Sequence, residues 1–264
     1  MRASQYVTEL ASHRQYHFTT AEAWARLGGT LPAVRGALRR LKRKHEIADP
    51  ARGFHVIVPP EHRRLECLPP EQFIPPLMEH LGEPYYVALL SAAEVYGAER
   101  HRPPFFQVML KGNRRRLVCG KVELEFIARR DLENTPVLER ATPRGAIRVS
   151  SPEATALELV GYAERCGGLG GVAAVLSDMG DAIRPAKILA AARLCPMVWV
   201  QRLGFLLDGA GRDDLARRLV RYVERDATEL APLVRARTLR GAPKNERWRL
   251  ALNAALPRIS GSHS

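Results

Sequence analysis

The chain has 264 residues, 46% hydrophobic and 26% charged, an ordinary composition for a globular protein long enough to bury one large core or two smaller ones. Its 41 Lys and Arg against 28 Asp and Glu give a formal net charge of +13, which favours polyanionic partners but specifies no fold. No apolar run reaches the roughly 18 residues of a membrane span. The N-terminal MRASQYVTELASHRQYHF lacks the apolar core of a signal peptide. Cys67, Cys119, Cys166 and Cys195 form no CxxC pair, which argues against a disulfide framework or zinc ribbon and for buried thiols in a reducing cytoplasm. His13 and His17 lack a second ligand pair, so no metal site is expected.

In chain order, residues 3–13 read as a short helix with Val7, Leu10 and Ala11 inward. Thr19-Thr20-Ala21-Glu22 is a capping box that starts a second helix, and Gly28-Gly29 stops it after Leu27. Thr30 caps a third helix, with Pro32 in its first turn where a missing N–H costs nothing. In the stretch Leu31–Glu46, at about 100° per residue, Leu31, Val34, Leu38 and Leu41 share one stripe. Ala33, Gly36, Arg39, Arg40 and Arg43 cluster on the opposite side, flanked by Arg35 and Lys42. IADPARGFHVIVP then predicts a short strand, an Asp-Pro…Gly turn and an apolar strand, Phe54–Val58. Three helices and a hairpin are the order of a winged helix-turn-helix, so residues 1–60 are expected to be a DNA-binding domain. Arg39, Arg40 and Arg43 are placed to reach base edges, and Arg35, Lys42, Lys44 and Arg52 to reach phosphates. Thr20, Ala33 and Gly36 complete the candidate DNA-contacting set.

The proline-rich segment around residues 61–70 reads as a linker into a second domain, residues 71–264. There Tyr85–Gly97 predicts a buried helix. Phe105–Leu110, Arg114–Val118 and Val122–Ala128 predict strands, the first two joined through Lys111-Gly112-Asn113, and Ile147–Val149 adds another. Ser151 caps a helix with Pro152 at its first position, and further helices are expected at Val172–Met179, Pro185–Leu194, Val198–Leu207 and Asp213–Arg225. A basic C-terminal segment follows, with Trp248 and Leu250–Leu256 expected to dock back. The fold class is α+β: a winged helix-turn-helix, then a mixed domain with a small antiparallel sheet at about residues 105–150 and a helical part at about 151–225.

Other features admit functional and plain readings. Lys111, Arg114, Arg115 and Arg116 form either a second nucleic-acid contact or a charged turn guarding an edge strand. CGGLGG, Cys166–Gly171, lacks the preceding strand and the Gly-Lys-Ser/Thr of a phosphate loop and reads as a helix–helix turn. Glu123, Glu125 and Asp131 suggest a nuclease cluster, but no catalytic lysine follows, and the two glutamates suit the wet face of a strand. With no GxSxG, HExxH or paired Cys/His arrangement, no catalytic residue and no cofactor are expected.

Several phrases together carry a family resemblance: SAAEVYGAERHRPPFFQV, KVELEFI, TPRGAIRVSSPEATALELVGY, GGLGGVAAVLSDM, QRLGFLLD and RW-L--N from Arg247 to Asn253. In this order they resemble the AbiEi-type antitoxins of type IV toxin–antitoxin pairs in bacterial abortive infection. The resemblance implies a cytoplasmic antitoxin that represses its own operon. Its winged domain would bind inverted repeats in promoter DNA, with the contacts mapping to Arg35–Lys44 and Arg52. The larger domain would neutralise a nucleotidyltransferase-like toxin without a stable complex. Two rival readings stay open, an RNA-binding or toxin-sequestering module and a nuclease-like hydrolase using the Glu123/Glu125 strand.

Overall fold

The structure, a computed structural model, describes residues 1–255. The chain falls into two compact units: Met1–Val87, Pro104–Leu132 and Glu139–Arg148, and Ala88–Pro103, Glu133–Leu138 and Val149 onward. Leu256, expected to dock back, lies outside the described residues.

The first unit opens with α1 (Ala3–Ser12), β1 (His17–Thr19), α2 (Thr20–Leu27), α3 (Leu31–Arg43), β2 (Ile47–Ala51) and β3 (Phe54–Ile57). Strand β1 was not foreseen, because three residues are too few to display an alternation; it is fixed by antiparallel pairing of His17–Thr19 with Val56–Phe54. Thr19 caps α2, its hydroxyl accepting from Glu22 N while the Glu22 carboxylate accepts from Thr19 N. Gly28 and Gly29 both stand at positive φ, which lets the chain reverse between α2 and α3 without a Cβ penalty. Val34, Leu38 and Leu41 of α3 join Tyr6, Val7, Phe18, Ala23, Ile47 and Ile57 in one core, each large apolar side chain contributing about 2 kcal/mol. Leu31 is only half-buried.

The hairpin turns later than expected. Strand β2 runs on through Asp49 and Pro50 with a register shift, and the tip is Arg52-Gly53, with Gly53 at φ +77. A polar line fastens this hairpin to both neighbouring helices. Thr20 Oγ1 lies 2.8 Å from His55 Nε2, His55 Nδ1 lies 2.7 Å from Asp49 Oδ1, and Lys42 Nζ lies 2.9 Å from Asp49 Oδ2. A neutral His55 that donates Nδ1–H to Asp49 accepts the Thr20 hydroxyl at Nε2. Partial burial pushes the Asp49 carboxyl up, but the bonds from His55 and Lys42 outweigh it and hold the group below the ordinary range.

The proline-rich segment is no extended spacer. It forms two 3₁₀ turns, Pro60–His62 and Pro70–Gln72, buries Cys67 and Leu68, and accepts Lys121 N at Leu65 O, 2.8 Å away. Its prolines sit at turn starts, where their fixed φ is an asset. After α4 (Ile74–Leu81) comes β4 (Tyr85–Val87), where a helix was expected over Tyr85–Gly97; the helix, α5, is confined to Leu89–Val95. Tyr85-Tyr86-Val87 is aromatic and β-branched, and pairs antiparallel with Leu110-Met109-Val108.

Strands β5 (Phe106–Leu110), β6 (Leu117–Cys119), β7 (Val122–Ala128), β8 (Val137–Thr142) and β9 (Gly145–Ser150) complete a six-stranded sheet in the order β6-β7-β5-β4-β9-β8. The sheet is mixed, not purely antiparallel: β5 runs parallel to β7, register Phe106↔Leu124 to Leu110↔Ala128. Lys111–Arg116 is therefore a crossing connection and not the hairpin expected; the hairpin is β6–β7, around Gly120. The reason is burial. Gln107–Leu110 are buried throughout and demand neighbours on both edges, whereas β6 exposes Val118 and suits the sheet margin.

The second unit is helical: α5, then α6 (Pro152–Gly161), α7 (Gly168–Met179), α8 (Pro185–Ala192), α9 (Met197–Gly209) and α10 (Asp213–Asp226). Its axis is α6, buried from Pro152 to Val160. Ser151 caps it, its hydroxyl accepting Ala154 N at 3.2 Å. The Glu153 carboxylate accepts Arg184 N at 3.0 Å, and Ser150 and Thr155 hydroxyls meet at 2.7 Å. The short strands β10 (Ala231–Pro232), β11 (Lys244–Asn245) and β12 (Leu250–Ala251) form a small sheet beside α9. One face of α9 grips this segment: Gln201 donates to Glu229 O and Arg249 O, and Asp208 accepts the Trp248 indole N–H at 2.6 Å. The Trp248 ring, fully buried, lies on Gly204. No helix of the described residues is long and apolar enough to cross a membrane.

Two predictions follow from this packing. A Cβ on residue 204 would collide with the Trp248 ring, so Gly204→Ala lowers unfolding stability by about 3 kcal/mol in urea denaturation. Asp49→Asn removes the anion shared by His55 and Lys42 and costs about 2 kcal/mol at neutral pH. Because the folded-state pKa of Asp49 is depressed, the wild-type advantage is present above the unfolded carboxyl pKa and disappears as pH falls through the folded value. Equal stability of the two proteins at neutral pH would refute the bridging role.

Candidate nucleic-acid interface

The outer face of α3 is built by the same spacing that builds its core face. With Val34, Leu38 and Leu41 inward, Arg35, Arg39, Arg40, Arg43 and Lys44 are all exposed. Among the described residues none of these five side chains has an acidic partner or a hydrogen bond. Arg40, Lys42 and Arg43 sit in the last turn, at the helix end whose dipole favours cations. Ala33 is exposed and Gly36 half-buried, so the N-terminal part of this face is low. A Cβ added at Gly36 would touch only the Arg40 guanidinium, at 3.8 Å, an ordinary contact. Gly36 thus keeps the surface flat and is not needed for backbone conformation.

Two residues of the expected DNA-contacting set have partners within the chain. Lys42 is paired with Asp49, and the Thr20 hydroxyl is bound to His55 while Thr20 N donates to Gly53 O at 2.9 Å. Both residues hold the hairpin against the helices. The signal was present in sequence as Asp49 and His55, but nothing in their spacing shows that the hairpin folds them back toward α2 and α3. Arg52 stands at the hairpin tip with its guanidinium exposed, and its carbonyl lies 3.3 Å from His80 Nε2. His80 also packs on Phe54, ring centroids 5.2 Å apart, so α4 steadies the tip.

The second basic segment is less available. Arg114 pairs with Glu83 and lies over Phe126; Arg116 lies 3.5 Å over the Phe105 ring and 3.4 Å from Glu123. Lys111 is also engaged, and Arg115 is exposed. Glu123 and Glu125 sit on the wet face of β7, Glu125 accepting Gln107 Nε2 at 3.2 Å. Among the described residues no group of three His, Cys, Asp or Glu side chains is placed to hold a metal ion. Cys67 and Cys119 are both buried, and their mutual influence raises the Cys67 thiol and lowers that of Cys119.

Comparison with known proteins adds an independent line. The chain is similar over 94% of its length, and 90% of the other's, to the crystal structure of the RV2827C protein from Mycobacterium tuberculosis, with a TM-score of 0.66 and 17% identity, a likeness of fold. A search of curated proteins gives no match. A family model does match: the AbiEi antitoxin C-terminal domain, over residues 86–209, from the middle of β4 to the end of α9. By that match, residues 86–209 resemble the C-terminal domain of the AbiEi-type antitoxins.

Proposed function

We propose that this chain is the antitoxin of a type IV toxin–antitoxin operon in the bacterial cytoplasm and represses that operon, its residues 1–60 acting as a winged helix-turn-helix on inverted-repeat promoter DNA. The observation that carries the reading is the row of unneutralised cations on α3, opposite a face locked into the core. In this reading α3 lies in the major groove. Arg39, Arg40 and Arg43 face base edges, and Arg35 and Lys44 face phosphates on either flank. The low Ala33–Gly36 surface allows the helix start to approach closely. Arg52, at a two-residue tip steadied by His80, reaches the adjacent backbone. Thr20 and Lys42 act as positioning residues through His55 and Asp49. An inverted repeat places one protomer on each half-site.

Neutralisation of the toxin, a nucleotidyltransferase-like enzyme encoded beside the antitoxin, resides in the domain matched at residues 86–209 and needs no stable complex. DNA binding and antitoxicity are then separable.

Gel shifts with the protein's own upstream DNA test the first part. Specific DNA is bound on the order of 10³-fold more tightly than unrelated DNA at moderate salt. Neutralisation of about five phosphates per protomer makes affinity fall roughly 10²- to 10³-fold between about 50 and 200 mM salt. An affinity indifferent to salt overturns the reading. Separability is tested by an Arg39→Ala/Arg40→Ala variant in cells carrying the neighbouring toxin gene and a promoter reporter. Repression is lost while protection from the toxin is kept; retained repression counts against the α3 interface.

A further inference from the structure

The second unit holds a cavity of about 410 Å³ that the DNA-binding reading does not use. Its volume is in the range of small-molecule sites, about 300–1,000 Å³. Its walls come from the end of α6, the glycine-rich start of α7 and the segments around residues 233–237 and 254–255. Four arginines line it, Arg165, Arg202, Arg235 and Arg237, against a single acidic residue, Glu164.

Arg202 makes this more than a basic surface. It is only 9% exposed, and its Nε and Nη2 donate to Pro232 O at 3.2 and 2.9 Å. That partner is a neutral carbonyl; among the described residues no carboxylate pairs with the guanidinium. A buried cation without a counter-charge is costly, and the cost is relieved by an anion that can reach it. Burial, and after it the like charge of Arg235, press Arg202 below its ordinary range, which puts the two guanidiniums in each other's field. The glycine motif supplies the rest of the wall. Gly167 and Gly168 stand at φ +79 and +75, and no side chain caps α7, so none stands between its first turn and a ligand. Gly171 admits no Cβ, which would lie 2.5 Å from Cys166 O, so the tight entry to α7 is obligatory.

We propose that this cavity binds the phosphate groups of a small phosphorylated metabolite, held by Arg202, Arg235 and Arg237 and by the backbone at the start of α7. It is not a phosphate loop of the strand–loop–helix kind: a 3₁₀ turn, Ala163–Cys166, precedes the glycines, and recognition is by fixed arginines. The multiple donors select a multiply charged oligophosphate over a simple monoanion.

The test is isothermal titration calorimetry of the full chain with inorganic pyrophosphate and, separately, ATP, both in a chloride buffer with sulfate at matched ionic strength as control. Pyrophosphate binds with one site per chain and sulfate does not compete at equal concentration. A tighter ATP complex identifies a nucleotide as the source of the phosphates, and equal or weaker ATP binding identifies a bare oligophosphate. Arg235 and Arg237 are exposed at the rim, so Arg235→Ala/Arg237→Ala folds normally, and it weakens binding at least about tenfold. Arg218→Ala/Arg221→Ala on α10, outside the cavity, leaves affinity unchanged. No binding of either probe, competition by sulfate, or equal weakening by the two double variants overturns the site in favour of diffuse attraction to a basic protein.

Discussion

A helix with no wet face organises the second unit. From Pro152 to Val160 every side chain of α6 is buried, including Glu153, Thr155 and Glu158. Polar groups withdrawn from water need partners inside, and Glu153 and Thr155 each fix a neighbour. Glu153 accepts the backbone N–H before α8, and Thr155 meets the Ser150 hydroxyl at the end of β9. Ser150 O in turn accepts the Tyr96 hydroxyl at 2.6 Å from the end of α5. Helices α5, α7, α8 and α9 pack around this rod. The phrase SSPEATALELVGY is thus distinctive for a physical reason: few residues could change without leaving a buried polar group unmatched.

The C-terminal segment obeys a similar logic at longer range. Gln201, Arg202, Gly204 and Asp208 occupy one face of α9 and hold Arg249, Pro232 and Trp248 respectively, Trp248 through both Gly204 and Asp208. Asn253 reaches back to Val234 N at 2.9 Å through its carbonyl oxygen. The phrases QRLGFLLD and RW-L--N, some way apart in the chain, are two halves of one contact. The same grip leaves Arg202 in the wall of the cavity.

In the first unit, the division of labour on α3 is decided by the hairpin. An amphipathic helix has one dry stripe and a wet remainder, and all the wet cations are equivalent until something approaches them. The β2–β3 hairpin brings Asp49 to Lys42 and His55 to Thr20 and makes those two residues braces of the hairpin. Arg39, Arg40 and Arg43 are left facing outward on a helix held rigidly from behind.

Local chemistry was written in the sequence alone. The capping box at Thr19–Glu22, the Gly28-Gly29 stop, the Thr30 and Ser151 caps, the inward stripe of α3, the alternation of β7 and most helices of the second unit depend on neighbours a few residues away, and all could be read from spacing. What only tertiary structure decided involves partners distant in sequence: the parallel pairing of β5 with β7, which no turn signal announces; the strand at Tyr85–Val87, whose apolar run suits a buried helix as well as a buried strand; the folding of the proline-rich segment onto its unit; and the diversion of Lys42 and Thr20. Periodicity tells a residue which way to face, but only the closed fold tells it what it will meet.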